Sequence, residues 1–467
     1  MAMWYELKRQ LSLPISLLTA YCLLFTTKVS AEELNLQSLI EESLKNNHEI
    51  LMSEAKWKTF TYKIPQAKSL PDPMFMFGYQ NEGTRNLYTF GGEMAADSQW
   101  MFSASQMFPF PGKLPLKGEM ALRDAEGLRA LFEATRLKTI LSVKELYYEL
   151  FLAYKSIDLI KDRTELFSRI EDVALSRYSS GMAPQQEVLM AQTEKYMLLE
   201  KEEMLKQKIQ SIEAMLNATI GRDVSAPLGR PVSLLPTAYH HSMEELIKIA
   251  YENSPQIKAK QKMIASAEIR VQMAKREYYP DFTISANYFA RSAKFPDMWS
   301  LTTTINIPLF YKTKQKQAVN EAASSLSEAR HELEATKLML SSAVRDNYSM
   351  LKTAEKLMEL YKNGLIPKTY QDFESALAGY VTGKVEAITV ITRLKLLIDF
   401  EALYWQQFVE KEKAIARLEA ITTVNSQQSA VKKEDSENVI ARSPESFWDD
   451  EAISKVKIAT PSARNDK

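Results

Sequence analysis

Asp281-Phe-Thr-Ile-Ser-Ala-Asn-Tyr-Phe-Ala-Arg291 decides the fold. Phe282, Ile284, Ala286 and Tyr288 fall on one side of an extended chain, and Thr283, Ser285 and Asn287 fall on the other, the period of two of a β-strand. A few residues on, Trp299, Leu301, Thr303, Ile305 and Ile307 alternate in the same way with Thr302, Thr304 and Asn306. The two segments, 281–291 and 299–309, have the roughly 9–11 residues that cross a bilayer as a tilted strand. Their composition suits an apolar face toward lipid and a polar face toward a water-filled lumen. Phe282, Ile284, Tyr288, Trp299, Leu301 and Ile305 are therefore the expected lipid-facing residues. An antiparallel sheet resting on a globular core would show a similar alternation.

Helical rods flank this pair. Glycine and proline are scarce, 13 and 18 among 467 residues, and neither occurs in 128–180, 185–220, 312–363 or 384–443. Segments of that length far exceed the usual helix of about 11–12 residues. In the first rod Ile140, Val143, Tyr147, Leu150, Tyr154 and Ile157 follow steps of three and four, a coiled-coil seam that needs partner helices. A continuous helix from Leu114 to Tyr178 would span roughly 100 Å, more than a compact domain can enclose.

The arrangement occurs twice. Leu39-Ile-Glu-Glu-Ser-Leu matches Leu246-Ile-Lys-Ile-Ala-Tyr, Pro71-Asp72 matches Pro280-Asp281, Phe108-Pro109-Phe110 matches Ile307-Pro308-Leu309, and Tyr178-Ser-Ser-Gly181 matches Tyr380-Val-Thr-Gly383. The order never breaks, and the period is far longer than that of a solenoid. The repeats are 32–230 and 241–423, joined by a linker at 231–240. Each runs helix, helix, strand, strand, long helix, break, helix. The first repeat's strands, 73–81 and 99–109, alternate less cleanly because Met74 and Met76 interleave with Phe75, Phe77 and Tyr79. Residues 1–31 read as a secretory signal: a basic start at Lys8-Arg9, an apolar run through Phe25 that contains the single cysteine Cys22, and a small-residue end at Ala31. Residues 424–467 are polar and read as a disordered or loosely docked tail.

Basic and acidic side chains number 59 each, so no polyanion such as nucleic acid is an expected partner. One cysteine forbids a disulfide or thiolate metal site, and the four histidines have no partner at ligand spacing. The 21 methionines are expected to fill the core or face lipid. Asp72 and Asp281 punctuate Pro-Asp turns. No nucleophile elbow, phosphate loop or dinucleotide fingerprint occurs. The chain reads as no enzyme, with no cofactor and no metal.

Four strands cannot close a transmembrane barrel, which takes at least about eight, so several chains must share one. The tandem plan over 34–423 resembles the TolC-like outer-membrane efflux family. The fold class implied is mainly α with a β-barrel part, a homotrimer whose twelve strands form an outer-membrane barrel continued by an α-helical periplasmic tunnel. The resemblance also implies external loops at 82–98 and 292–298 and hairpin tips at 178–184 and 380–385 that receive a periplasmic adaptor protein. Tyr178, Gly181, Met182, Pro184, Tyr380, Gly383 and Lys384 are the tip residues so implied. Glycine fits there because a helix that reverses needs positive φ, and Pro184 suits a first helical turn. The family's acidic entrance positions hold Glu187, Met190, Thr389 and Thr392 here, so Glu187 and Glu386 are the candidates for a constriction. Ser105-Gln-Met-Phe-Pro-Phe-Pro-Gly-Lys-Leu114 and the Gly364-Leu-Ile-Pro367 break, which predicts a kink, resemble the branch that serves heavy-metal resistance-nodulation-division pumps. The function implied is passive conduction of a substrate, heavy-metal ions for that branch, from an inner-membrane pump and its adaptor through the outer membrane. The outlet of a type I peptide or protein secretion system and a soluble periplasmic coiled-coil scaffold are the alternatives.

Overall fold

The computed structural model describes residues 33–81, 98–232, 234, 236–291 and 295–423. The expected signal at 1–31 and tail at 424–467, and residues 82–97 and 292–294 of the expected external loops, lie outside them.

Each repeat opens with two helices. α1 (Leu36–Asn46) starts where the Asn35 side chain accepts from Gln37 N, and Asn47 caps α2 (His48–Lys68) by accepting from Ile50 N. In the second repeat Ser242 and Glu245 form a reciprocal capping box at α5 (Met243–Asn253), and Pro255 opens α6 (Pro255–Arg276). Strands β1 (Met74–Gln80) and β2 (Gln99–Phe108) follow the first pair, β3 (Asp281–Arg291) and β4 (Met298–Asn306) the second. All four make one antiparallel sheet in the order β1-β2-β3-β4. β4 stops at Asn306, three residues short of the sequence expectation, because Pro308 removes a ladder donor.

The long helices are α3 (Lys113–Ser179), α4 (Gln185–Ile220), α7 (Gln315–Leu360), α8 (Ile366–Val381) and α9 (Ala387–Thr422). α3 has 67 residues, about 100 Å. It absorbs Pro115 within its first turn, where the proline's missing N–H costs nothing. The Gly364–Pro367 break is a single π turn, Tyr361–Leu365, after which the chain continues as α8. The wider turn takes up the missing Pro367 donor at the place where the sequence predicted a kink, and such π turns are themselves sites where helices kink.

Three apolar clusters stack along the rods. One holds α1 against α3, α4 and α9 through Leu39, Val143, Tyr147, Leu150, Leu216 and Phe408. A second joins α5 and α7 to α9 through Leu246, Val344, Leu351 and Ile415. The third, toward the hairpin tips, gathers Phe167, Ile170, Ala191, Phe373, Tyr380 and Leu394. The predicted seam is thus a core: Val143, Tyr147, Leu150 and Ile157 are buried. Ion pairs zip α3 of the first repeat to α9 of the second: Lys144 with Glu419, Arg417 with Glu145, Lys413 with Glu149, and Arg163 with Glu401. The linker is pinned too. Thr237 donates through its N and Oγ1 to the two Glu412 carboxylate oxygens at 2.9 and 2.7 Å, and Lys411 donates to its carbonyl at 2.7 Å. Burial raises the Glu412 carboxyl above its ordinary range, against the opposing pull of those Thr237 bonds.

Candidate functional site

Two regions hold the residues singled out from the sequence, the sheet and the hairpin tips at the far ends of the rods.

The register puts Phe282 opposite Ile305, Ala286 opposite Leu301 and Tyr288 opposite Trp299 on one face, and the first hairpin adds Phe75, Phe77, Tyr79, Trp100, Phe102 and Phe108 to the same face. Its aromatics pack in a row, Tyr79 on Trp100 at 4.8 Å, Phe77 on Trp100 at 5.1 Å and Phe108 on Phe282 at 5.5 Å between centroids. Among the described residues no helix covers them. Phe75 is 81% exposed and Trp299 80%, so a broad aromatic face lies open where a water-soluble sheet would bury it. All six residues singled out from the sequence lie on this face.

The opposite face carries Ser103, Ser105, Thr283, Ser285, Asn287, Ser300, Thr302 and Thr304, with Asn287 Nδ2 donating to Ser300 Oγ at 3.1 Å. Met74, Met76, Met101, Met107 and Met298 also lie here. This corrects the expectation that methionine serves core or lipid-facing packing; five of them share the polar face, and period-two alternation alone put them there.

Where the sheet meets the rods, the first repeat locks onto the second. Lys113, at the start of α3, is buried and donates to Asp281 Oδ1 at 2.9 Å, Glu277 Oε2 at 3.2 Å and the Tyr279 carbonyl at 3.2 Å. Phe110 N donates to the same Asp281 oxygen at 2.7 Å. Sequence reading took Asp281 as turn punctuation and missed this bond across repeats, whose one visible signal was Lys113 in the Phe-Pro-Gly-Lys corner.

The tips are two matched reversals. Gly181 has φ 73° and Gly383 has φ 76°, in the left-handed region that glycine enters without steric cost. Gly181 N donates to Tyr178 O at 2.9 Å and Met182 N to Arg177 O at 2.8 Å; Gly383 N donates to Tyr380 O at 3.0 Å and Lys384 N to Gly379 O at 2.9 Å. Pro184 is the N-cap of α4, one place before the first turn where the sequence put it, because its extended ψ of 152° still belongs to the reversal. Tyr178, Met182, Pro184 and Lys384 are exposed.

Tyr380 is not exposed, which corrects its assignment to the presented surface. Its relative exposure is 0%. The hydroxyl donates to Glu187 Oε2 at 2.9 Å, Arg177 Nη1 donates to its carbonyl at 2.6 Å, and the Arg177 guanidinium sits 4.6 Å from its ring centroid. Burial first, and then the Glu187 carboxylate, push the phenol well above its ordinary range. Glu187 thereby spends one oxygen inside the chain. Glu386 is exposed at the N-cap of α9 with no capping bond from its side chain.

Among the described residues no helix is long and apolar enough to cross a membrane, and no group of His, Cys, Asp and Glu could hold a metal ion.

Against known proteins, the outer membrane efflux protein family matches residues 39–222 and 246–392, one match on each repeat. The solved structure of CusC, from a study of conformational changes accompanying folding and transmembrane channel formation, superposes with a TM-score of 0.72 at 14% identity over 83% of this chain and 91% of CusC. The outer membrane protein VceC from Vibrio cholerae gives 0.70 at 17% identity over 83% and 95%. Among curated proteins, Protein CyaE of Bordetella pertussis is 21% identical over 221 residues, 44% of this chain and 46% of CyaE, so this match spans about half the length of that relative. The structural likenesses establish the fold, and the two family matches, which together cover most of the chain and fall on its two repeats, place it in the outer membrane efflux protein family, channel proteins of the outer membrane and not enzymes.

Proposed function

We propose that three copies close into a twelve-stranded barrel continued by a periplasmic tunnel, a passive conduit fed by an inner-membrane pump through a periplasmic adaptor. The observation that carries this is the open sheet. Four strands whose outer two have no neighbouring strand among the described residues, with an aromatic face exposed, need further strands and lipid surroundings to be stable. Tyr178, Gly181, Met182, Pro184, Gly383 and Lys384 form the surface the adaptor grips; Tyr380 shapes it from inside with Glu187 and Arg177. Glu386 is the carboxylate left free to narrow the entrance. The pump is of the resistance-nodulation-division type and the cargo heavy-metal ions, a reading supported by the Ser105–Leu114 corner and the Gly364–Pro367 turn.

Native mass measurement of detergent-solubilised protein, with conductance in a planar bilayer, tests the conduit: trimers that conduct are expected, and a stable non-conducting monomer overturns it. Deletion of the gene tests the cargo. Lost metal tolerance with normal peptide secretion is expected, and the converse would make the chain a secretion outlet.

A further inference from the structure

The two hairpins of the sheet are copies in hydrogen-bond register as well as in sequence. Carried through the matched Pro71-Asp72 and Pro280-Asp281, and through Phe108-Pro109 and Ile307-Pro308, Met74 opposite Ser105 becomes Thr283 opposite Thr304. In the same way Gly78 opposite Met101 becomes Asn287 opposite Ser300. No pair slips. Between the hairpins lies a seam, β2 beside β3, with Gln106 opposite Ile284, Ala104 opposite Ala286 and Phe102 opposite Tyr288. Lys113 locks that seam at the rod end by holding Asp281.

The counterpart of this seam is missing within one chain. It would join β4 to β1, the two strands that have a neighbour on one side only among the described residues. The counterparts of Lys113 and Asp281 are Lys312 and Asp72, and both are exposed, with no side-chain partner among the described residues. The apolar corner beside Lys312 is bare as well: Leu309 is 75% exposed and Phe310 78%.

We infer that a second copy of this chain completes the seam in the same register: β4 of one copy pairs antiparallel with β1 of the next, placing Ile305 opposite Phe75, Thr303 opposite Phe77 and Leu301 opposite Tyr79, and Lys312 latches onto Asp72 of the next copy. The inference rests on the oligomeric reading above and adds to it which residues meet. The faces agree independently, since all six strand residues belong to the aromatic side; a slip of one place would turn Phe75 and Phe77 into the polar lumen. Charge agrees as well, a free cation at one edge and a free carboxylate at the other. The latch differs from the internal lock in one respect. The counterpart of Glu277 is Lys68, so Lys312 meets a single carboxylate, and the contact between copies is the weaker one. Because the contact joins two different edges, it repeats head to tail and closes into a ring.

Cysteine cross-linking in a Cys22→Ala background tests the register. Phe75→Cys with Ile305→Cys is the in-register pair. Phe75→Cys with Leu301→Cys is its control, displaced by four residues or about 13 Å along the strand, beyond the ~7 Å that a disulfide spans. After mild oxidation, the in-register pair is expected to run as covalent dimer and trimer on a non-reducing denaturing gel, and the control and single variants as monomer. Trimers by native mass that cross-link through the control pair, or through neither, overturn the register and leave the oligomer standing; absence of any oligomer by native mass overturns the reading beneath it. For the latch, Lys312→Asp and Asp72→Lys should each lower the temperature at which the trimer dissociates, and the double exchange should restore it. A double variant that dissociates no higher than the worse single variant overturns the latch.

Discussion

The Arg163–Glu401 pair ties the first repeat to the second in the middle of the rods, and it allows a prediction with internal controls. Arg163 Nε and Nη2 donate to the two Glu401 oxygens at 2.9 and 2.6 Å, and the side chains are 8% and 2% exposed. Burial raises the Glu401 carboxyl above its ordinary range, and Arg163 opposes the rise. Arg163→Met removes that opposition and leaves a buried carboxylate, a loss of about 3–5 kcal/mol near neutral pH. The carboxyl can relieve it by binding a proton, and each pH unit of descent toward its raised value recovers about 1.4 kcal/mol. A carboxyl whose folded pKa lies above its unfolded one contributes fully below the unfolded value and loses that contribution as pH rises through the folded one. The Arg163→Met defect should therefore be largest near pH 8 and shrink toward pH 5. Glu401→Leu leaves a buried guanidinium that cannot be discharged, so its loss should be similar in size and flat over the same range. The double variant removes both charges and should lie within about 1 kcal/mol of the parent or above it. Scanning fluorimetry in detergent at one fixed heating rate reads these as midpoint changes. Equal pH slopes for the two single variants, or a double variant as weak as either, would refute the assignment of the cost to desolvated charge.

Three further outcomes follow from the site. Ile284→Arg, on the aromatic face, should cost about 2–4 kcal/mol near mid-bilayer while Ser285→Arg is accepted, and trimer yield in outer membranes should separate them; equal tolerance would reverse the face assignment. Gly383→Val forces a β-branched residue to φ 76° and should strain the tip by about 1–3 kcal/mol. Trimer yield should hold and export fall, whereas lost trimer would make this glycine a folding determinant. Tyr380→Phe deletes the bond to Glu187 and should cost about 1–2 kcal/mol, against almost nothing for Tyr178→Phe at an exposed position; equal effects in a thermal scan would show that the hydroxyl contact is not formed.

What could be read from the sequence is what repeats locally. Ile284 and Leu301 announced their face because neighbours two apart shared it, Val143 and Tyr147 announced a seam by their three-and-four spacing, and Gly181 closed one breaker-free run while Gly383 opened another. What could not be read depends on residues brought together from far apart. Lys113 meets Asp281 across most of a repeat, and Glu412 meets Thr237 across the second one. Neither pair has a spacing signature. The π turn at Tyr361–Leu365 was visible only as a weak point, since a wider turn and a kink remove the same hydrogen bond.

The tips show how one motif yields two environments. Tyr178 and Tyr380 occupy matched places, three residues before glycines of nearly equal φ, yet one is 44% exposed and the other 0%. The preceding residues differ. Arg177 stands before Tyr178 and reaches across to cover the ring of Tyr380 and bond its carbonyl. Its counterpart is Gly379, which has no side chain to return the cover. A Cβ at Gly379 would fall 2.5 Å from Val385 Cγ2, so a side chain there has no room unless Val385 shifts. A symmetric exchange, Arg177→Gly with Gly379→Arg, would clash at Val385 rather than swap the roles. The two hairpins of one chain thus present different surfaces, Tyr178 and Met182 at one tip and Lys384 at the other. A partner that docks on both must read two shapes in alternation around the ring.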